Sequence, residues 1–302
     1  NSTEGFRAAA FQRYLGPLDP PTETDPLLRC LASFHLGDEK SFSPFVSTTD
    51  GLFHSVAKAI KFPDQGSSCI TLIDGHHAAN NGYGFPAWIL MSNLKKEKLM
   101  LETYRVKRYR ATHEWLIYGS ISSEAIVYTV TMDEVKALAE QCSSVNKLLR
   151  LSQLEGSKSI KYLRMAFLSN PLTLDESIGV AISKLCRLFG VTPLLEGDII
   201  SYFIFTILQG WVILDAAHPL HRQKAVGAFI AGITEGRQCS AVEEEKLWQA
   251  FEDGVDRALE DFESLGGILQ YQRKGVRSKL KTTAKAMLAK AKEMEDIEYI
   301  FG

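Results

Sequence analysis

A change in hydrophobic period near residue 133 is the feature that most constrains how this chain folds. Before that residue, short apolar runs are separated by clusters of Gly, Pro and Asn, a pattern typical of strands and turns. After it, apolar residues recur at helical spacing, which predicts packed helices. We therefore predict an α+β domain with a mostly antiparallel sheet over residues 1–135 and an all-helical domain over residues 136–302.

Individual elements can be placed within this division. The apolar runs of the first domain predict strands at residues 68–73, 87–91 and 125–130. The glycine-rich stretch 74–86 is typical of a loop, and residues 52–61 are predicted to form a helix. In the second domain, two helix starts carry the capping-box pattern of a hydroxyl residue followed three positions later by glutamate. These starts are Thr173 with Glu176 and Ser240 with Glu243.

The composition is that of a soluble globular protein. Apolar residues make up 45% and charged residues 23% of the 302 positions, and a net charge of −2 gives no general attraction for nucleic acid. The longest apolar run, residues 199–214, is shorter than the roughly 20 residues that span a bilayer, so no membrane span is predicted. His76 and His77 are adjacent and no His-x-x-x-His pair exists, so no metal is predicted.

The cysteines bear on the compartment. Five cysteines lie far apart in the sequence and include no Cys-x-x-Cys pair. This usage favours reduced thiols and a cytoplasmic protein. A secreted protein with one or two disulfides is the alternative.

Three polar motifs stand in a fixed order within the first domain. Arg7 lies near the start, Ser47-Thr48-Thr49 ends an apolar strand directly before the 52–61 helix, and Glu114 opens another apolar strand. A glutamate at the start of a strand that becomes buried needs an interaction that occupies its charge. The order of the three motifs indicates what that interaction serves.

This ordered set resembles the Arg/Ser-Thr-Ser/Glu motif of ADP-ribosyltransferases, and in particular the cholera-toxin and heat-labile-enterotoxin type. In that family Phe-Val typically precedes the serine motif, as Phe45-Val46 does here. A Gly-Gly-Ile-like turn follows the catalytic glutamate after four residues, and Gly119-Ser120-Ile121 matches it. The resemblance covers residues 5–132 and nothing in the helical half.

The resemblance implies that the first domain takes NAD as substrate and transfers its ADP-ribose or hydrolyses it. It assigns to Glu114 the stabilisation of the positive charge that develops on the ribose. It implies that Arg7 holds a phosphate or ribose oxygen and that Ser47 fixes Glu114 by a hydrogen bond. The residues that it implies for NAD contact are Arg7, Ser47, Thr48, Thr49 and Phe53. Either Phe53 or Tyr83 stacks on nicotinamide or, alternatively, these aromatics only pack.

One position departs from the family pattern. Arginine-modifying members carry Glu or Gln two residues before the catalytic glutamate, whereas Thr112 occupies that position here. A threonine hydroxyl cannot act as an anionic acceptor, so another acceptor or water is expected in place of arginine. The alternatives are a drifted fold that no longer uses NAD, for example a tRNA-dependent transferase, and a non-catalytic interaction protein.

Two stretches near the end of the sequence have opposite charge. Residues 243–263 carry nine acidic residues against Lys246 and Arg257, and residues 273–292 carry eight basic residues and no acid. They predict either an antiparallel helix pair with complementary faces or a basic surface that binds RNA. The candidate polyanion contacts are Arg273, Lys274, Arg277, Lys279, Lys281 and Lys285.

Overall fold

A computed structural model of the chain describes residues 5–11, 21–22, 25–37, 43–61, 68–75, 84–97, 113–156, 160–214 and 219–264. It has two compact units. The first comprises Asn1–Gly51 and Cys69–Val130, and the second comprises Leu52–Ser68 and Thr131–Gly302. The helix at residues 52–61, which the predicted boundaries assign to the first domain, belongs to the second unit.

Strands are concentrated in the first unit and helices in the second, which confirms the α+β class. The strands are β1 (Phe6–Arg7), β2 (Phe45–Thr49), β3 (Cys69–Ile73), β4 (Gly84–Pro86), β5 (Glu114–Tyr118), β6 (Ser120–Ile121), β7 (Ile126–Thr131), β8 (Leu172–Thr173) and β9 (Ile213–Leu214). The helices are α1 (Pro26–Leu36), α2 (Leu52–Lys61), α3 (Ala87–Lys96), α4 (Met132–Gln141), α5 (Ser143–Leu149), α6 (Leu151–Gly156), α7 (Ile160–Ser169), α8 (Glu176–Leu188), α9 (Gly197–Trp211), α10 (Pro219–Ile233) and α11 (Ala241–Ser264).

The central sheet of the first unit has the strand order β2-β5-β4, and both of its pairings are antiparallel. In the β2–β5 register, Ser47 lies opposite Leu116 and Thr49 lies opposite Glu114. Residues that face each other across an antiparallel pair project to the same side, and neighbours along a strand project to opposite sides. Ser47, Thr49 and Glu114 therefore share one face of the sheet.

Helices α1 and α3 cover that face. Their buried residues repeat at helical spacing and pack with the apolar residues of β2, β4 and β5 into one core. The members of this core are Leu28, Ala32, Leu36, Phe45, Phe85, Ala87, Leu90, Met91, Leu94, Leu116 and Tyr118. The opposite face belongs to a smaller cluster built on Ile117, Ile121 and Ala125.

The prediction of a strand at residues 87–91 is wrong, because these residues begin α3. The buried positions Ala87, Leu90, Met91 and Leu94 have the i, i+3, i+4, i+7 spacing of a helix face. A short apolar run does not by itself separate a strand from a buried helix. The predicted loop 74–86 also ends in strand β4. The helix at 52–61 and the strands at 68–73 and 125–130 are confirmed as α2, β3 and β7.

The second unit is mainly helical but not entirely so. Strands β8 and β9 form a two-residue parallel pair, with Leu172 opposite Ile213 and Thr173 opposite Leu214. Because Thr173 belongs to β8, it does not cap the following helix. That role falls to Asp175, whose carboxylate accepts a hydrogen bond from the Ile178 amide at 2.9 Å.

Two further predictions for the second half can be compared with the structure, namely a capping box and the absence of a membrane span. Ser240 and Glu243 form the predicted capping box, since the Ser240 hydroxyl accepts from the Glu243 amide at 3.3 Å and the Glu243 carboxylate accepts from the Ser240 amide at 3.0 Å. Within the described residues, no helix has the length and apolar content needed to cross a membrane.

Helices α8 and α10 approach each other closely at Gly179. A Cβ atom at Gly179 would lie 2.1 Å from the carbonyl oxygen of Ala225. We expect Gly179→Ala to lower the free energy of unfolding by about 1–3 kcal/mol, because the two backbones must separate to admit the methyl group. Urea unfolding monitored by circular dichroism measures this change.

Gly227 on α10 provides the matched control. Nothing lies within 4 Å of a Cβ atom placed there. Gly227→Ala should therefore raise stability by about 1 kcal/mol through helix propensity alone. Equal effects of the two substitutions would contradict the close approach at Gly179.

Candidate functional site

A histidine from α1 lies at the centre of the polar residues on the covered sheet face. Asp25 caps α1 by accepting from the Leu27 amide at 2.7 Å, and the helix buries Leu28, Ala32 and Leu36 against the sheet. His35 lies beside this apolar stripe. Its ring packs edge-on against Phe45 with a centroid separation of 5.6 Å.

Both ring nitrogens of His35 contact serine hydroxyls. Nε2 lies 2.8 Å from Ser47 Oγ, and Nδ1 lies 2.5 Å from Ser43 Oγ. Ser43 Oγ in turn accepts a hydrogen bond from the Phe45 amide at 3.0 Å. The imidazole orientation is thus fixed from both sides.

Glu114 joins the same cluster. Its Oε1 lies 3.9 Å from His35 Nε2, and the side chains of Glu114 and His35 are only 12% and 16% exposed. Glu114 and Ser47, two members of the ordered motif set, therefore meet around one nitrogen of His35. We call His35, Ser43, Ser47 and Glu114 the polar cluster.

His35 can carry the proton of a neutral imidazole on either ring nitrogen. With the proton on Nε2, which a negative charge on Glu114 favours, Nε2–H donates to Ser47 Oγ and Nδ1 accepts from the Ser43 hydroxyl. With the proton on Nδ1, Ser43 Oγ accepts from Nδ1–H and donates to the Phe45 carbonyl 3.4 Å away, while Nε2 accepts from the Ser47 hydroxyl. The second arrangement is the one in which the histidine of a serine hydrolase acts as base towards its serine.

The two threonines after Ser47 have local roles. Thr48 projects to the opposite face of the sheet, and its hydroxyl donates to the Trp115 carbonyl at 3.4 Å. Because strand side chains alternate, Thr48 does not share the face of Ser47 and Glu114, and its contact with NAD stays a prediction. Thr49 shares the face of Glu114, and its hydroxyl accepts from the Gly51 amide at 3.4 Å in the turn that precedes α2.

Arg7 is exposed on β1, where it lies opposite Ser120 of β6. The Ala8 amide donates to the Gly119 carbonyl and the Gly119 amide donates to the Pro44 carbonyl, each at 2.8 Å. These bonds attach β1 at the Tyr118 end of the β2–β5 pair, whereas Glu114 lies at the other end. Gly119 makes this attachment with φ of 78°, a conformation that favours glycine.

Phe53 does not lie in the polar cluster. It belongs to the second unit and is 1% exposed. Its ring makes edge contacts with Phe167 and Trp211 at centroid distances of 5.8 and 5.3 Å. This burial agrees with the alternative that Phe53 only packs, and its stacking on nicotinamide stays a prediction.

Several predicted residues lie outside the described residues. Tyr83, Thr112 and the basic stretch at 273–292 are among them, so the structure gives no placement for Arg273, Lys274, Arg277, Lys279, Lys281 or Lys285. Over the described ranges, no group of three or more His, Cys, Asp or Glu side chains could hold a metal ion.

Sequence reasoning missed His35 and Ser43. One signal was available for the helix, since Asp25-Pro26 has the form of a helix start and Leu28, Ala32 and Leu36 form an apolar stripe. That signal would place His35 beside the buried face. No local pattern indicates its contact with Ser47, because that contact depends on how α1 packs on the sheet.

These features define an α+β unit with a shielded carboxylate, a histidine and two serines on one sheet face. Residues 1–135 match the family model described as a domain of unknown function, DUF7587. The matched range includes all four residues of the polar cluster. No curated protein and no solved structure matches the chain.

Proposed function

We propose that the first unit cleaves the nicotinamide–ribose bond of NAD and transfers the ADP-ribose to an acceptor or to water, as its resemblance to ADP-ribosyltransferases implies. The observation that carries the proposal is the meeting of Ser47 and Glu114 around His35 Nε2, at 2.8 and 3.9 Å. These two residues come from strands separated by more than sixty positions, and the family resemblance assigns both of them to the same site.

The proposed chemistry uses the charge of Glu114. As the glycosidic bond lengthens, nicotinamide leaves with the bonding electron pair, and the ribose acquires positive charge. A fixed carboxylate beside the ribose stabilises that charge without having to reorganise. The hydroxyl oxygen of an acceptor or of water then bonds to the ribose carbon, and its proton passes to the solvent.

The surrounding residues give Glu114 a fixed position. When the proton of His35 lies on Nε2 and is donated to Ser47, the Ser47 hydroxyl hydrogen can point towards a carboxylate or a ribose oxygen. The limited exposure of Glu114 keeps water away from its charge, and such exclusion strengthens electrostatic stabilisation. Arg7 takes the proposed role of holding a phosphate of the dinucleotide, for which an exposed planar guanidinium is suited.

Nicotinamide release by the full chain tests the proposal. The protein is incubated with NAD, and nicotinamide is measured by chromatography with water alone and with a protein extract as acceptor. Calorimetric titration with NAD measures binding in parallel. We expect saturable binding and release above the uncatalysed rate. Failure to release nicotinamide under both conditions would refute the proposal and favour a drifted fold.

His35 should act as a positioning residue in this reaction. We expect His35→Ala to lower the nicotinamide-release rate about 10- to 100-fold, because small displacements of a catalytic group have effects of this size. The carboxylate itself is retained, so the loss should be partial. The rate is measured at saturating NAD with and without added imidazole.

Imidazole distinguishes positioning from folding. If His35 acts by holding Ser47 and Glu114, imidazole should restore part of the activity of His35→Ala. The exposed His221 on α10 supplies a control, and His221→Ala should retain the wild-type rate. An activity loss in His35→Ala that parallels a loss of folded protein, without rescue, would contradict the positioning role.

A further inference from the structure

The second unit contains an open polar pocket of about 470 Å³. It lies where α5 passes into α6, beside the turn between α7 and β8. Two cations, Lys147 and Arg150, line it together with Ser143, Asn146, Ser152 and Asn170. This volume is within the range of small-molecule sites, but such sites are usually lined mainly by apolar groups. The polar lining therefore suits a polar ligand.

Arg150 is held in place from two directions. One guanidinium nitrogen donates to the Asn170 carbonyl at 3.0 Å, and the guanidinium carbon lies 4.7 Å from the centre of the Phe167 ring. An arginine has five N–H donors, so these contacts leave most of them for another partner. The side chain presents a fixed planar cation at the pocket wall.

The charge of Arg150 has no carboxylate partner among the described residues. Burial lowers the pKa of its guanidinium, and no nearby acid offsets this effect. The Asn170 carbonyl and the Phe167 ring compensate this cation in part, and an anion that reached it would supply the missing counter-charge. This state contrasts with that of Arg222 on α10, which pairs with both Glu252 and Asp256.

The backbone conformation at Arg150 is unusual for an arginine. Arg150 ends α5 in the left-handed conformation, with φ of 49° and ψ of 43°. Glycine or asparagine adopts this conformation more readily than arginine.

Lys147 adds a second positive charge one turn earlier on α5. Its Nζ lies 3.4 Å from Asp175 Oδ2 and 3.2 Å from Ser177 Oγ. Lys147 is exposed, and its flexible ammonium can move to an arriving anion. Asp175 neutralises part of this charge, so Arg150 is the main fixed cation of the pocket.

We propose that this pocket binds the phosphate group of a small phosphorylated metabolite, with Arg150 as the fixed contact and Lys147 as the second cation. A guanidinium offers phosphate two parallel N–H donors. The serine hydroxyls and asparagine amides supply the neutral donors and acceptors that a sugar or nucleoside part requires. The proposed NAD reaction does not depend on this site.

Inorganic pyrophosphate is the probe for a first test. The full chain is titrated with pyrophosphate by calorimetry at low ionic strength, and amide shifts in ¹H–¹⁵N spectra locate the site. We expect saturable binding with shifts at Ser143, Arg150 and Asn170. Lys147→Gln should weaken binding about 10-fold, the size of a lost charge-assisted hydrogen bond.

The controls make the outcome decisive. Lys224 is exposed on α10, and Lys224→Gln removes the same charge while leaving the lining of the pocket intact. Arg150→Gln should abolish binding. If Arg150→Gln does not fold, Lys147→Gln still tests the pocket. The proposal is overturned if wild type does not bind, if Lys147→Gln binds as tightly as wild type, if Lys224→Gln is equally weakened, or if acetate binds as well as pyrophosphate.

Discussion

Glu114→Gln is expected to lower the rate of nicotinamide release from NAD about 10²–10³-fold, corresponding to about 3–4 kcal/mol of barrier. Glutamine has the size of glutamate and can still form hydrogen bonds near Ser47 and His35. It lacks the negative charge that stabilises the ribosyl cation. Because that charge acts mainly in the transition state, the NAD affinity should change far less than the rate.

Two measurements separate this effect from misfolding. Glu140 is exposed on α4, and Glu140→Gln should leave both rate and stability unchanged. Thermal unfolding of Glu114→Gln should show a folded protein, since the substitution preserves shape. Wild-type rates in Glu114→Gln would show that Glu114 has no part in the reaction. A parallel loss of NAD affinity and rate would assign it to substrate binding instead.

The general architecture could be predicted from the sequence because it depends on local periodicity. Short apolar runs bounded by turn residues predict β3 and β7, and the helical period predicts α2. The same reasoning failed at residues 87–91, where the run is too short to separate a strand from a helix by itself. It also failed at β8 and β9, since a two-residue pair leaves no periodic signal.

The polar cluster was only partly predictable for a different reason. Ser47 and Glu114 were found because a family resemblance supplied their order. Their shared face follows from the β2–β5 register, which pairs Thr49 with Glu114. A shift of this register by one residue would send Glu114 to the opposite face. His35 could not be predicted, because its contacts require α1 to pack on that sheet.

Phe53 illustrates the limit of carrying roles over by position alone. Its place one residue into α2 suggested a ring beside the NAD site. The helix instead turns that ring into the core of the second unit, and it packs on the α9 backbone at Gly210, where an added Cβ atom would lie 2.6 Å from the Phe53 Cβ. An aromatic residue after a predicted motif therefore carries little information until the orientation of its helix is known.

Phe53→Ala is expected to lower the free energy of unfolding by about 3–5 kcal/mol, the range for removing a buried phenylalanine ring. The ring is 1% exposed and contacts Phe167 and Trp211, so its loss leaves a cavity between them. Guanidinium unfolding followed by tryptophan fluorescence measures the change, because Trp211 reports directly on this core.

Phe34→Ala is the matched control, because Phe34 on α1 is 45% exposed. Phe34→Ala should lower the free energy of unfolding by well under half as much as Phe53→Ala does, because folding removes less of the Phe34 ring from water. NAD binding distinguishes the two roles of Phe53. If Phe53 only packs, the folded fraction of Phe53→Ala should bind NAD with the affinity of wild type. Lost NAD affinity with little loss of stability would restore the stacking role and contradict the observed burial.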